Sequence, residues 1–383
     1  MQSFCAIFLG TLLVSACVAT EGSSYADLDT QSDDVSQGGH DTAELSPLPT
    51  LPALTKGWTQ IAPGGDTVCS RGSEFFFIVR KGSVNKVVID FMGGGACWNE
   101  TTCSFAESIF NENLDVFEGQ EGDVNLPGIY DSTEEANPFK DWYHVFIPYC
   151  TGDIHWGNAE VDYGAAAGVI QHKGAVNAQA VMDWVKENFS APESIFVTGC
   201  SAGAYGAIGW APRIIEMFPE AKVTQMGDSG VGVITDSFFK ESFPRWNAWE
   251  ILPTWIETLN LPEEELYKLS LNDVYIRVAN QYPNHLFSQF TTAFDSTQVF
   301  YYQAMGGGTE EEWTSKMREG IEQTHQKASN FRSFLAQGDQ HCILPYTEFF
   351  TKETQGMTVS EWVADMVDGQ PVENITCGDP CTR

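Results

Sequence analysis

At 383 residues the chain is long enough for one large domain with a sizeable core. Hydrophobic residues make up 43% of it and aromatic residues 13%, a balance that excludes a disordered chain. With 52 acidic against 20 basic residues the net charge is −32, which excludes a nucleic-acid binder and argues against anionic membrane surfaces and polyanionic substrates.

Residues 1–17 read as a signal segment. Ile7 to Val14 form an apolar core too short to cross a bilayer, and no Lys or Arg precedes it. Val14-Ser15-Ala16-Cys17 is similar to a bacterial lipoprotein cleavage box, in which a lipidated Cys17 would tether the protein to a membrane. Ordinary cleavage near Ala19 is the alternative. Residues 18–55, rich in Ser, Asp, Thr, Gly and Pro, read as a disordered tether, and the catalytic domain is expected over 56–383. Export implies an oxidising compartment, where Cys69, Cys97, Cys103, Cys150, Cys200, Cys342, Cys377 and Cys381 should mostly form disulfides. Cys97/Cys103 and Cys377/Cys381 are close in sequence, but spacing leaves the connectivity open. No C-x-x-C pair or nearby His supports a zinc site.

Glu74 to Val79 and Lys86 to Met92 read as adjacent strands joined by a turn around Gly82 and Asn85. The second, KVVIDFM, is apolar almost throughout, as a strand covered on both faces would be. It ends in Gly93-Gly94-Gly95, which places backbone N–H groups at the carboxyl edge of the sheet. Residues 104–140 are polar, acidic and turn-rich, an expected insertion at the rim. Trp142 to Tyr149 is another buried strand. The loop after it, Thr151 to Asn158, offers Asp153, His155 and Trp156 to a substrate. Gly174 to Phe189 carries apolar residues at helical spacing. Strands alternating with helices predict a mostly parallel central sheet with helices on both faces and insertions at its C-terminal edge.

Ile195 to Thr198 form a short strand that runs into Gly199-Cys200-Ser201-Ala202-Gly203, and small apolar residues then continue at helical spacing. Strand, G-x-S-x-G and helix together make a nucleophile elbow, whose sharp turn needs neighbours with almost no side chain. Ser201 is therefore the expected nucleophile, and the N–H of Ala202 an expected oxyanion donor beside the glycine run. In such folds the acid and then the histidine follow the serine along the chain. His341 follows the strand-like run Phe331 to Ala336, at the carboxyl edge where a base must be. His285 opens a strand and should sit at the far edge. His325 lies in a polar helical stretch and reads as a solvated helix residue. Asp295, directly after HLFSQFTTAF, is the expected acid and Asp228, after AKVTQMG, the runner-up. The aromatic stretch Phe238 to Trp255 reads as a lid, a pocket wall or plain core.

FMGGGACWNETTC, VFIPYCTGD, VTGCSAGAYG, GDSG, AFDSTQ and the His of GDQHC occur in this order. Together they resemble the pectin acetylesterase family, which also contains the animal Wnt deacylase Notum, over roughly residues 57–345. The resemblance implies an α/β-hydrolase-like serine esterase with a three-layer sandwich and no metal or other cofactor. It implies catalytic roles for Ser201, Asp295 and His341 and an oxyanion hole at Gly94, Gly95 and Ala202. Plant members usually carry an acidic residue and a Trp within the glycine block. Here Met92 replaces the acid, and the Trp follows the Cys as Trp98, which joins Asp153 and Trp156 as an expected substrate contact. The activity this predicts is removal of acetyl or short acyl groups, from a carbohydrate or a small neutral ester, by an exported monomer. A longer-chain deacylase of the same mechanism and an inactive binding protein on the same scaffold are the alternatives.

Overall fold

Short runs of β-branched and aromatic residues build a nine-stranded sheet in this computed structural model, which describes residues 48–383 except 107, 118–121, 123 and 379. The strands are β1 (Trp58–Ile61), β2 (Phe77–Arg80), β3 (Lys86–Phe91), β4 (Tyr143–Ile147), β5 (Ser194–Cys200), β6 (Lys222–Asp228), β7 (Leu286–Thr292), β8 (Phe331–Ala336) and β9 (Ile375–Thr376). Their order is β1-β2-β4-β3-β5-β6-β7-β8-β9. Every pairing from β4 to β9 is parallel, and β2 runs against both its neighbours. The chain leaves β3 for β4 on one side and returns to β5 on the other. A crevice outside the carboxyl ends of β3 and β5 is where open α/β sheets bind ligands.

The strands alternate between two cores. Val87, Ile89, Ile195, Val197 and Val223 face one cluster, whereas Val88, Phe196, Met226, Phe290 and Phe334 face the other. The first is covered by α1 (Gly174–Asn188), α2 (Ala202–Met217), α3 (Asp236–Trp246), α4 (Leu271–Gln281) and, beyond α5 (Ser296–Ala304), α6 (Glu310–Lys327). The second is covered by α7 (Val359–Asp368), through Trp362, Val363 and Met366, and by the turns that carry Ile129 and Phe139. The result is the expected three-layer α/β arrangement. Each fully buried large apolar side chain in these layers contributes about 1.5–3 kcal/mol.

Several expectations change. β2 and β3 are not neighbours, because β4 lies between them. The connection instead passes beneath the start of β4, where a Cβ on Gly82 would stand 2.3 Å from Tyr143 N. Residues 48–55, assigned to the tether by composition, pack on the domain. Leu54 is buried, Leu51 N–H donates to Asn188 Oδ1 at 3.2 Å, and Trp184 Nε1 donates to the Pro49 carbonyl at 2.9 Å. The signal segment, Cys17 and the rest of the tether lie outside the described residues. His325 is not a solvated helix residue, since its Nε2 pairs with Ser333 Oγ at 3.1 Å. The eight cysteines form Cys69–Cys150, Cys97–Cys103, Cys200–Cys342 and Cys377–Cys381. No described helix is long and apolar enough to cross a membrane.

Candidate active site

Ser201 sits between the end of β5 and the first residue of α2, at φ +58° and ψ −120°. That conformation is costly for a residue with a side chain, and the packing around it explains why it holds. A Cβ on Gly199 would lie 2.4 Å from the Gly203 carbonyl oxygen, and one on Gly203 only 1.8 Å from that of Phe91. Only glycines allow β3, β5 and α2 to close up in this way. Ser201 N–H donates to the Asp228 carbonyl at 2.7 Å, which ties the turn to β6.

Asp295 follows β7 and caps α5. Its Oδ1 accepts the N–H groups of Thr297 at 3.1 Å and Gln298 at 2.9 Å, and its Oδ2 accepts Gln298 Nε2 at 2.9 Å. The carboxylate is fully buried and has one fixed orientation. His341 Nδ1 lies 2.9 Å from Asp295 Oδ1 and 3.0 Å from Oδ2, so the ring proton on Nδ1 donates to the carboxylate. Burial by itself would lower the pKa of His341. The charge and hydrogen bond of Asp295, with the charge of Asp228, outweigh it and hold the imidazole above its ordinary value. Among the described residues His341 Nε2 has no hydrogen-bond partner, Ser201 Oγ included. The Cys200–Cys342 disulfide joins the residue before Ser201 to the residue after His341.

Ser201 and His341 open onto one cavity of about 60 Å³. Gly95, Ala96 and Ala202 line it on the serine side, and Ile154, Val233, Phe238, Phe243, Leu271 and Met305 make its walls largely apolar. The Ala202 N–H belongs to the first turn of α2, where amides have no intrahelical acceptor. A hydroxyl, an imidazole backed by a carboxylate, and free amides around an apolar pocket are the parts of acyl transfer. Two Cys–His clusters among the described residues, Cys97/Cys103/His172 and Cys200/Cys342/His341, are close enough to hold a metal. Their cysteines are all disulfide-bonded, and it is the thiolate that ligates metal.

A model of the pectinacetylesterase family matches residues 59–358. The chain belongs to this family. Pectin acetylesterase 11 of Arabidopsis thaliana is 29% identical to it over 170 residues, 43% of this chain and 42% of that protein. The palmitoleoyl-protein carboxylesterase Notum of Schmidtea mediterranea is 29% identical over 147 residues, 37% of this chain and 27% of that protein. The chain thus spans less than half the length of these curated relatives. The crystal structure of the Wnt deacylase Notum from Drosophila has a TM-score of 0.62 at 17% identity, covering 84% of this chain and 96% of that one, which shows a shared fold.

Within this pectinacetylesterase fold, the sequence-derived contacts divide. Gly95, Ala96 and Ala202 border the cavity, and Gly94 sits one residue back, where a Cβ would meet Asn111 and Tyr149. None of Trp98, Asp153 and Trp156 lines the cavity. Asp153 is fully buried, accepting Thr151 Oγ1 at 2.7 Å and, at the start of α1, Gly174 N–H at 2.7 Å. Burial pushes its carboxyl up to about 6. Trp156 lies in the core with Nε1 donating to the Tyr205 carbonyl at 2.8 Å. Trp98 packs edge-on behind Phe238, with ring centres 5.0 Å apart. His155 is buried too, its Nε2 2.9 Å from the Met92 carbonyl, and burial lowers its pKa to about 4. The neutral ring therefore steadies the base of the glycine run. The aromatic stretch splits as well, since Phe238 and Phe243 wall the cavity while Phe239 and Trp246 belong to the core.

Proposed function

We propose that this chain is a serine carboxylic-ester hydrolase that removes acetyl or short acyl groups through an acyl-enzyme on Ser201. His341 Nε2 takes the proton from Ser201 Oγ as the oxygen attacks the ester carbonyl. Asp295 fixes the tautomer and stabilises the imidazolium. The amides of Gly94, Gly95 and Ala202 stabilise the tetrahedral oxyanion. The imidazolium then gives its proton to the departing alcohol, and water repeats the sequence on the acyl-enzyme.

One observation carries the short-acyl reading. The cavity that starts at Ser201 holds about 60 Å³ and is walled by Phe238 and Phe243, room for roughly five water-sized groups. That favours an acetyl or butyryl group over a fatty acyl chain. The net charge of −32 favours a neutral ester, such as an acetylated sugar, over a polyanion. Four disulfides fit an exported protein. A longer-chain deacylase is the second reading, favoured by the apolar walls and by the Notum relatives.

Hydrolysis of p-nitrophenyl esters from acetate to palmitate, with the Ser201→Ala variant beside the native chain, tests both. Turnover should peak at acetate or butyrate and be lost in the variant. A serine-dependent peak at long chains would move the assignment to the second reading. No serine-dependent turnover at any length would leave a binding protein.

A further inference from the structure

Two consecutive residues at the end of β6 hold the whole turn that carries His341. Ser229 Oγ accepts the N–H of Cys342 at 2.9 Å. Asp228 Oδ2 accepts those of Ile343 at 2.8 Å and Leu344 at 2.9 Å. Three successive amides after the histidine thus end on one dipeptide. The same Asp228 uses its carbonyl to accept the Ser201 N–H at 2.7 Å, and it pairs in register with Cys200. It is the one described residue hydrogen-bonded both to the serine turn and to the histidine turn. Ser229 adopts φ +56° and Cys342 φ +60°, left-handed conformations that a non-glycine residue keeps only when its surroundings impose them.

We propose that Asp228 is a positioning residue for the base: its carboxylate sets the His341 turn against the nucleophile elbow and supplies a second negative charge to the imidazolium. This rests on the reading of Ser201, His341 and Asp295 as the reacting set. The division of labour follows from geometry. Asp295 takes the hydrogen bond from the ring, and Asp228 grips the backbone on which the ring is mounted. An amide could accept the same two N–H groups, so the backbone grip alone does not require an acid. Asp228 is fully buried and its Oδ1 has no partner among the described residues, an arrangement costly enough to need a compensating use. Burial raises its carboxyl to about 7, against the two amide hydrogen bonds and the charge of His341. The titratable groups that face it are His341, Asp295, Tyr130 and Tyr346. Among them only His341 gains a positive charge, and it does so during turnover.

The test compares Asp228→Asn and Asp228→Ala with native enzyme and Ser201→Ala, reading kcat and KM for p-nitrophenyl acetate against pH, together with Tm. Asp228→Asn keeps the acceptor and removes the charge. It should lower kcat about tenfold at unchanged KM and move the acid limb of kcat/KM to lower pH, because His341 loses a charge that raises its pKa. Asp228→Ala also frees the turn and should cost about 10²-fold in kcat. An Asn variant with native kcat and an unmoved acid limb would overturn the proposal. So would an Ala variant that loses Tm alone. Should both fail to fold, Ser229→Ala removes only the Cys342 acceptor. A several-fold fall in kcat supports the cradle, and an unchanged kcat refutes it. Activity surviving in Ser201→Ala would instead bring down the triad on which the proposal stands.

Discussion

Among the described residues, two Asp–His pairs combine a buried carboxylate with similar distances. His341 Nδ1 lies 2.9 Å from Asp295, and His144 Nε2 lies 3.1 Å from Asp90. Both carboxylates are buried, yet the imidazoles differ. Asp90 and His144 face each other from neighbouring strands β3 and β4, sealed beneath the Tyr130 ring, whose OH shares the same carboxylate oxygen at 2.9 Å. There burial wins over the hydrogen bond and charge of Asp90, and the pKa of His144 falls. At the carboxyl edge the carboxylates win, and that of His341 rises. A carboxylate–imidazole hydrogen bond is therefore not in itself a general base. It becomes one where the second ring nitrogen meets a cavity that also holds a nucleophile.

The largest break in this comparison should come from Asp295→Asn. The amide can still cap α5, but it no longer enforces the Nδ1–H tautomer or balances the imidazolium. We expect kcat to fall on the order of 10⁴-fold with p-nitrophenyl acetate, with little change in Tm. A fall below tenfold would mean that another group orients the ring.

A smaller effect separates covalent from hydrogen-bonded placement of the base. Replacing Cys200 and Cys342 together by Ser removes the disulfide between the two reacting turns and leaves the Asp228–Ser229 cradle. Stability should drop by about 2–5 kcal/mol in chemical denaturation, since the bond closes a loop across 142 residues. Turnover should fall by about tenfold, within the range expected for a displacement of under an ångström. Native kcat in a destabilised variant would make the disulfide a purely structural tie.

What the sequence revealed of this site follows how local each constraint is. The elbow was legible because five consecutive residues carry its steric requirements, and Gly199 and Gly203 meet backbone from β3 and α2 just as so tight a turn demands. The positions of Asp295 and His341 at the carboxyl edge, where they pair, were legible from their places after strand-like runs. Asp153 and Trp156 misled because position on a carboxyl-edge loop does not say which way a side chain turns. Asp153 turns inward to hold the start of α1, and Trp156 to fill space against Gly209, where a Cβ would come within 2.4 Å of its ring. The β2–β3 neighbourhood failed because period-2 patterns define faces and not strand order. The role of Asp228 needs the β5–β6 register, which pairs it with Cys200. A clue to the disulfide was present all along: Cys200 and Cys342 directly flank the two residues read as nucleophile and base.

The sealed pair supplies the smallest effect on activity. Asp90→Ala removes the acceptor of both Tyr130 OH and His144 Nε2. Leaving those buried donors unpaired should cost about 1–3 kcal/mol while kcat stays within about twofold of native. The pH dependence gives a sharper readout. Because the folded-state pKa of His144 is depressed, the unfolded chain binds the extra proton, and stability is lost as pH falls below about 6.5. Asp90 opposes that depression through its hydrogen bond and charge. Without it the folded pKa drops further, so the variant should lose stability more steeply than native enzyme on acidification. His172, also buried with a depressed pKa, contributes equally to both proteins and cancels in the difference, whereas His155, which the charge of Asp90 also raises, shifts in the same direction as His144 and adds to it. Parallel stability–pH curves would mean that Asp90 and His144 are not coupled in the folded state, and the contrast with Asp295 and His341 would then lie in the pairing itself and not in burial.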